Sequence, residues 1–384
     1  MENQFFEGGL YLMALGAAAA AVRYLPRYVF DRFFTASFYT MDTEFVRWMG
    51  EWLAETSYGR SCRRLSGFVA YEGERDEPRA VLEPGLGVHV FRYENRWCLL
   101  HQTLEEVGYA GAKARTITLR ALGRDPSPIR ALVHDVVDAA MLRRRGKQVA
   151  YINNQNGGWS QIRVGEPRPL ESVVLRPGLM DEIVDDVDWF RNARSWHVER
   201  GLPYRRGYLL VGPPGNGKSS LVQAIAGHYQ MPLYVLTLSQ GDDFNDATLA
   251  RAMAQLPGRS LVVLEDIEKI DFGTDTSVTL AGLLNTIDGP LASEGRLLVI
   301  TANDADLLPA PLVRAGRIDQ RWEIEGPGPE QVRDLFLRFF PVAAREADEY
   351  AGVVEGNGTS MAAIQQHLAR AQSPEDAIRQ QPTA

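Results

Sequence analysis

Apolar positions along this chain follow three patterns: an unbroken run, alternation of period two, and stripes of helical period. The unbroken run comes first, from Gly8 to Val22, preceded by Phe5 and Phe6 and followed by Arg23, Arg27 and Arg32. A secretory signal places its basic residues ahead of the apolar run, so that reading is excluded. The 15 residues of the run cover about 22 Å as a helix, short of the roughly 30 Å hydrocarbon core. Extension through Phe5 and Phe6 and through Tyr24 and Leu25 brings it to membrane length, with Glu7 near one interface and Arg23 snorkelling at the other. The pattern predicts a single transmembrane helix within residues 1–33, with an Ala-rich soluble packing helix as the alternative. The arginine excess behind it holds the remaining chain on the cytoplasmic or matrix side.

From residue 34 to 169 the pattern is α+β. Phe45, Trp48, Met49 and Trp52 share one face of a helix over Thr43–Glu55, a stripe of the kind that packs a core. Val88–Tyr93 and Arg96–His101 flank Glu94-Asn95 as a hairpin, and Arg115–Leu122 is another alternating strand. Asp125-Pro126-Ser127-Pro128 opens a helix over Ile129–Leu142, and Arg143-Arg144-Arg145-Gly146-Lys147 closes it, basic residues lying where the helix dipole favours them. A partner-binding patch is the other reading of that cluster. Residues 73–87, rich in glycine, proline and charge, read as a loop.

Pro167-Arg168-Pro169 marks a boundary, and a helix over Met180–Arg191 follows. Then come short, continuous apolar runs, Tyr208–Val211, Leu233–Leu238, Ser260–Leu264 and Leu297–Thr301, with helical stripes at Leu221–Tyr229 and Ala247–Gln255 between them. Continuous apolar strands alternating with helices predict an α/β core, a parallel sheet with flanking helices over 170–328. The tail, 329–384, offers two short helices at most, Glu330–Phe340 and Ser360–Ala371, and reads as a short helical lid.

Composition adds little to the fold but narrows the function. Apolar content of 45% and charged content of 23% are those of a globular chain. A formal charge of −8 argues against a nucleic-acid partner. Cys62 and Cys98 fit no metal spacing and read as free thiols, and six scattered histidines show no paired spacing. The Arg-rich, Lys-poor composition suggests a bacterial source.

The chemistry centres on Gly212-Pro213-Pro214-Gly215-Asn216-Gly217-Lys218-Ser219-Ser220, between an apolar strand and a helix. That context is the one a phosphate-binding P-loop requires. The glycines let successive backbone N–H groups close on the phosphates of a nucleoside triphosphate, at the positive end of the helix. Lys218, one of only four lysines in the chain, adds a point charge, and the Ser219 hydroxyl is placed to ligate Mg²⁺. The strand Ser260–Leu264 delivers Glu265 and Asp266 at its C-terminal end, a Walker B arrangement in which one carboxylate holds the metal and the other polarises the attacking water. Most motors carry the two in the opposite order, so Glu265 is the metal candidate and Asp266 the candidate base, with the reverse division of roles left open. Asn303, after Leu297–Thr301, is placed to orient water or sense the γ-phosphate. Arg314 and Arg317 suggest arginine fingers supplied to a neighbouring subunit.

The succession GPPGNGKSS, LVVLEDIE, GLLNTIDG, ITAND and LVRAGRID resembles an AAA-type ATPase. The stretches beginning at Leu170 and Gly201 resemble one branch, the mitochondrial inner-membrane ATPases that assemble the cytochrome bc complex by translocating the folded Rieske iron–sulfur protein. The similarity covers nearly the whole chain, and the Glu-Asp order occurs in that branch. It implies ATP and Mg²⁺ as cofactors and a homo-oligomeric ring, a heptamer with a hexamer as the alternative. It also implies membrane anchoring and a folded protein as substrate. In ring ATPases the segment entering Met180–Arg191 commonly lines the adenine pocket. Two departures stand out. Ser239-Gln240-Gly241-Asp242-Asp243-Phe244-Asn245 lacks the aromatic grip of peptide-threading rings, and Ile267-Glu268 stands where the family usually has Ile-Asp. A nucleotide-gated membrane scaffold or pore, and an ATP-driven defence or stress module, are the competing functional readings.

Overall fold

The computed structural model describes residues 34–384 apart from 73–76, 108–111, 240, 242, 273–276, 290–293, 381 and 383–384. The expected transmembrane helix falls within residues 1–33 and lies outside the described residues. Among the described residues no helix is long and apolar enough to cross a membrane. The chain divides into two compact units, Met1–Arg145 and Gly146–Ala384.

In chain order the first unit holds β1 (Thr35–Thr40), α1 (Thr43–Glu55), α2 (Ser57–Ser61), β2 (Leu65–Glu72), β3 (Glu77–Pro84), β4 (Gly87–Tyr93), β5 (Arg96–Val107), β6 (Ala112–Leu122) and α3 (Ser127–Arg144). An antiparallel sheet runs in the order β1-β6-β5-β4. Its turn at Glu94 (φ 41°) and Asn95 (φ 68°) is left-handed at both positions, as a two-residue hairpin demands. Phe45, Met49 and Leu53 of α1 and Leu132 and Val136 of α3 share a core with Leu100, Ile117 and Leu119 of the sheet. The basic cluster ending α3 is engaged within this unit. Arg143 pairs with Glu51 at 3.2 Å and Glu55 at 3.0 Å, and Arg144 pairs with Glu44 at 3.3 Å while lying 4.9 Å over Trp48. Part of the loop expected at 73–87 is instead β3, paired antiparallel with β2. Its charged residues hid the strand, yet Glu83 is buried, where it meets the Arg115 guanidinium.

The second unit continues with β7 (Gln148–Asn153), β8 (Trp159–Gly165), α4 (Leu179–Asn192), α5 (Arg194–Glu199), β9 (Arg206–Val211), α6 (Lys218–His228), β10 (Leu233–Val235), α7 (Asp246–Ala254), β11 (Leu261–Leu264), α8 (Leu280–Asp288), β12 (Leu297–Ala302), β13 (Gln320–Glu323), α9 (Pro329–Phe339), α10 (Ala344–Val354), α11 (Met361–Arg370) and α12 (Pro374–Arg379). Seven strands form one sheet in the order β13-β9-β12-β11-β10-β7-β8, parallel except for β8. Successive residues alternate between its faces. Tyr208 and Leu210 of β9 pack with Ile183 and Val187 of α4 and Leu221 and Ile225 of α6. Leu209 and Val211 pack on the other face with Leu249 of α7 and Leu283 of α8. Burial on both faces explains why these strands read as continuous apolar runs.

The strands β7 and β8 precede the boundary placed at Pro169, and β7 hydrogen-bonds to β10 within the seven-stranded sheet. One expectation needs correction. The lid holds four helices, α9 to α12, rather than two. The stripe Ala347, Tyr350, Ala351 and Val354 buries α10 against α9, its small residues allowing close approach.

One polar hub ties α4 to the sheet. Asp186 accepts from Arg206 Nε at 3.0 Å, Tyr208 OH at 2.7 Å and Gln320 Nε2 at 3.3 Å. The Asp186 and Arg206 side chains are only 15% and 16% exposed. Asp186→Ala therefore leaves a buried guanidinium without its partner, and we expect a loss of about 3–5 kcal/mol in denaturant unfolding. A loss below about 1 kcal/mol, the value of a surface pair, would show the hub to be dispensable.

Candidate nucleotide site

At the C-terminal end of β9 the chain turns through Gly212 (φ 155°) and reaches the N-terminus of α6 through Gly217 (φ 97°). A Cβ at Gly212 would lie 1.9 Å from the Ile324 carbonyl oxygen, so only glycine fits where the strand beyond β13 passes. Pro213, Pro214 and Gly215 are exposed, Asn216 is buried, and Ser219 and Ser220 lie in the first turn of α6. No side chain caps α6, so its first N–H groups face the loop, where an anion is favoured.

Lys218 is buried at 7% exposure. Its ammonium donates to Gly212 O at 2.6 Å, Pro213 O at 3.2 Å and Asn303 Oδ1 at 2.9 Å. Burial pulls its pKa below the ordinary lysine value, while the carboxylates of Asp266 and Glu268 act the other way.

Strand register assembles the remainder. Val211 pairs with Ala302 and Leu264 with Ile300, so Gly212, the Glu265-Asp266 pair and Asn303 leave neighbouring strands at one edge. Ser219 Oγ donates to Glu265 Oε1. Asp266 sits in the left-handed region at φ 50°, its N–H bonded to Thr301 Oγ1 at 3.0 Å and its carboxylate paired with Lys269 at 2.6 Å. A non-glycine residue held there is the kind of local strain found at functional sites.

Arg314 and Arg317 are not part of this cluster. They precede β13, which runs parallel to β9, so they lie at the opposite edge of the sheet. The Arg317 carbonyl oxygen packs on Gly207, five residues before Gly212, a separation of about 16 Å along a strand. The two arginines also differ from each other. Arg317 pairs with Asp288 at 2.6 Å, whereas Arg314 is exposed and its side chain has no partner among the described residues.

Sequence reasoning missed three contributors. Glu268 accepts from both the backbone N–H and the side chain of Asn303. Thr301 carries the Asp266 turn. The lid also reaches the P-loop: Met361 N–H donates to Asn216 Oδ1 at 3.1 Å and Ala362 N–H to Gly215 O at 3.0 Å. Phe244, the aromatic residue of the loop over 239–245, is fully buried. Only the departure at Ile267-Glu268 gave any signal of these.

The residues fit ATP with Mg²⁺. The glycine turn leaves backbone N–H groups and one cation for phosphates, and the touching Ser219 hydroxyl and Glu265 carboxylate are hard oxygen donors of the kind magnesium takes.

Comparison with known proteins covers most of the chain. Residues 15–173 match the family model described as BCS1 N terminal, and 208–325 match the ATPase family associated with various cellular activities (AAA). Residues 329–382 match the mitochondrial chaperone BCS1-like ATPase lid domain. The chain is 30% identical to a Dictyostelium discoideum protein described as a probable mitochondrial chaperone BCS1-A, over 97% of this chain and 94% of that one. It is 31% identical to the Homo sapiens mitochondrial chaperone BCS1, over 88% of this chain and 86% of that protein. These relatives are eukaryotic and lend no support to the bacterial source that composition suggested.

Proposed function

Because the chain belongs to the BCS1 family of AAA ATPases, and so hydrolyses ATP with Mg²⁺, we propose that it works as a membrane-anchored homo-oligomeric ring. The ring couples hydrolysis to translocating or remodelling a folded protein. One observation supports the shared site of this ring: Arg314 and Arg317 lie at the sheet edge away from their own P-loop, a position suited to a nucleotide in a neighbouring copy.

Within one protomer the P-loop of residues 212–220, through its backbone N–H groups other than at Pro213 and Pro214, and the Lys218 ammonium hold the triphosphate. Ser219 and Glu265 hold Mg²⁺, which when bound neutralises charge on the phosphates. Asp266 polarises the attacking water, and Asn303 orients it or senses the γ-phosphate. The bond between Ser219 and Glu265 favours Glu265 over Asp266 as the metal-side carboxylate. Arg314, exposed and without a side-chain partner among the described residues, is the finger that reaches across; Arg317 joins it only by releasing Asp288. The apolar run at residues 8–22 is the anchor, which puts the chain at a membrane with its ATPase unit on the matrix or cytoplasmic side. Burial of Phe244 removes the one aromatic side chain of the loop that threading rings use as a grip, which favours a folded cargo.

Mixing two inactive variants tests the shared site. Arg314→Ala leaves its own P-loop intact, and Lys218→Ala leaves its own finger intact. Each alone should turn over ATP at least about a thousandfold more slowly than the parent, the scale set by arginine fingers. Co-assembled, they should recover activity that peaks at an intermediate ratio. Absence of recovery at every ratio rejects the shared site.

A further inference from the structure

We infer that Glu268 is a positioning residue that sets the orientation of the Asn303 side-chain amide. The inference rests on the proposed role of Asn303 toward the γ-phosphate. The two ends of an asparagine amide have the same shape, so its direction is decided by its neighbours. Here both neighbours are one-way. The Glu268 carboxylate only accepts, and its Oε1 takes Asn303 N at 3.0 Å and Nδ2 at 2.6 Å. The Lys218 ammonium only donates, and it meets Asn303 Oδ1 at 2.9 Å. A flipped amide would set oxygen against oxygen at one end and N–H against N–H at the other. The backbone bond to the same Oε1 also fixes where β12 ends relative to the carboxylate.

The amide nitrogen carries two hydrogens and Glu268 takes one, leaving the second as a donor whose direction is already set. Pre-orientation of this kind is what lets a donor act on developing charge without reorganising. The local fold is arranged around it. Asp266 turns through the left-handed region, and the short turn Ile267–Lys269 then brings Glu268 back beneath the end of β12. The other carboxylate oxygen, Glu268 Oε2, is buried with no hydrogen-bond partner among the described residues. An orphaned buried acceptor is costly. A glutamate one methylene longer than the aspartate usual at this place reaches the Asn303 amide directly.

The test uses the full chain in an Asp266→Asn background and measures affinities for ATP and ADP separately. Glu268→Ala should lower the preference for ATP over ADP about tenfold, the weight of one charge-assisted hydrogen bond. Its ADP affinity should stay that of the parent. Asn303→Ala should lower the preference similarly, and the double variant no further than Asn303→Ala alone. With Asp266 restored, Glu268→Ala should reduce kcat with little change in KM. Glu268→Gln, which keeps an acceptor but adds a donor, should fall between parent and alanine, and it carries the same comparison if Glu268→Ala does not fold. Additive losses in the double variant, or equal losses for ATP and ADP, overturn the positioning role. If Asn303→Ala keeps the full ATP preference, the role of Asn303 itself fails and the inference goes with it.

Discussion

Asp266→Asn protein should hold ATP and hydrolyse it about a hundred to ten thousand times more slowly than the parent, the range for loss of a positioned base. The substitution removes charge and little else. Asp266 occupies φ 50°, a region asparagine enters more readily than most residues, so the backbone is not strained by the change. Its N–H bond to Thr301 Oγ1 is a main-chain donor and survives. The lost pair with Lys269 joins two solvent-exposed groups and contributes little to stability. Lys218, Ser219 and Glu265 are untouched, and removal of a negative charge near the phosphates does not weaken binding. Asp266→Ala should be inactive as well, but it places a methyl-bearing residue at φ 50° without a compensating polar group. It should therefore unfold about 1–2 kcal/mol more easily. The pair of variants separates chemistry from strain. Rapid multiple turnover by the asparagine variant would remove Asp266 from the reaction.

How much of this was legible in the chain differs by region. The strands β9, β11 and β12 were readable because parallel strands covered on both faces need no polar alternation, and Tyr208–Val211 or Leu261–Leu264 can be nothing but interior. The hairpin at Glu94-Asn95 was readable because two alternating strands flank a two-residue break, and Asn95 is of the kind that enters the left-handed region. The P-loop was readable because its glycines answer to local geometry, as the approach of Ile324 to Gly212 makes plain.

What was hidden depends on partners distant in sequence. β7 looks like any short strand, and its pairing of Ala150 with Leu233 joins residues far apart in the chain. Pro167 and Pro169 marked a break in regular structure, which is not the same as a break in the sheet. α10 buries only Ala347, Tyr350, Ala351 and Val354, too small a stripe to stand out before α9 is in place. Glu268 was noticed as an oddity of spelling, and its reach to Asn303 needs the left-handed turn at Asp266. Arg314 and Arg317 read as equals, and the pair with Asp288 separates them.

Lys218→Ala should abolish nucleotide binding while leaving the fold intact, and the two effects are separable by melting temperature with and without ATP. In the nucleotide-free chain the Lys218 ammonium meets only carbonyl and amide oxygens, and burial favours its neutral form. Its folded pKa lies below the ordinary lysine value, so the charged group is a liability below that pKa, one that fades as pH rises through it. Removing the side chain takes away that liability together with three hydrogen bonds, and the bare chain should melt close to the parent. Toward a triphosphate the balance reverses. Two charge-assisted contacts at about 1.5–3 kcal/mol each correspond to roughly a hundredfold to ten-thousandfold loss of affinity. The parent should gain about 2.7 kcal/mol of stability at an ATP concentration one hundred times its dissociation constant. The variant should gain almost none at that concentration, and an equal ATP-induced shift would mean that the glycine turn binds the phosphates without the lysine.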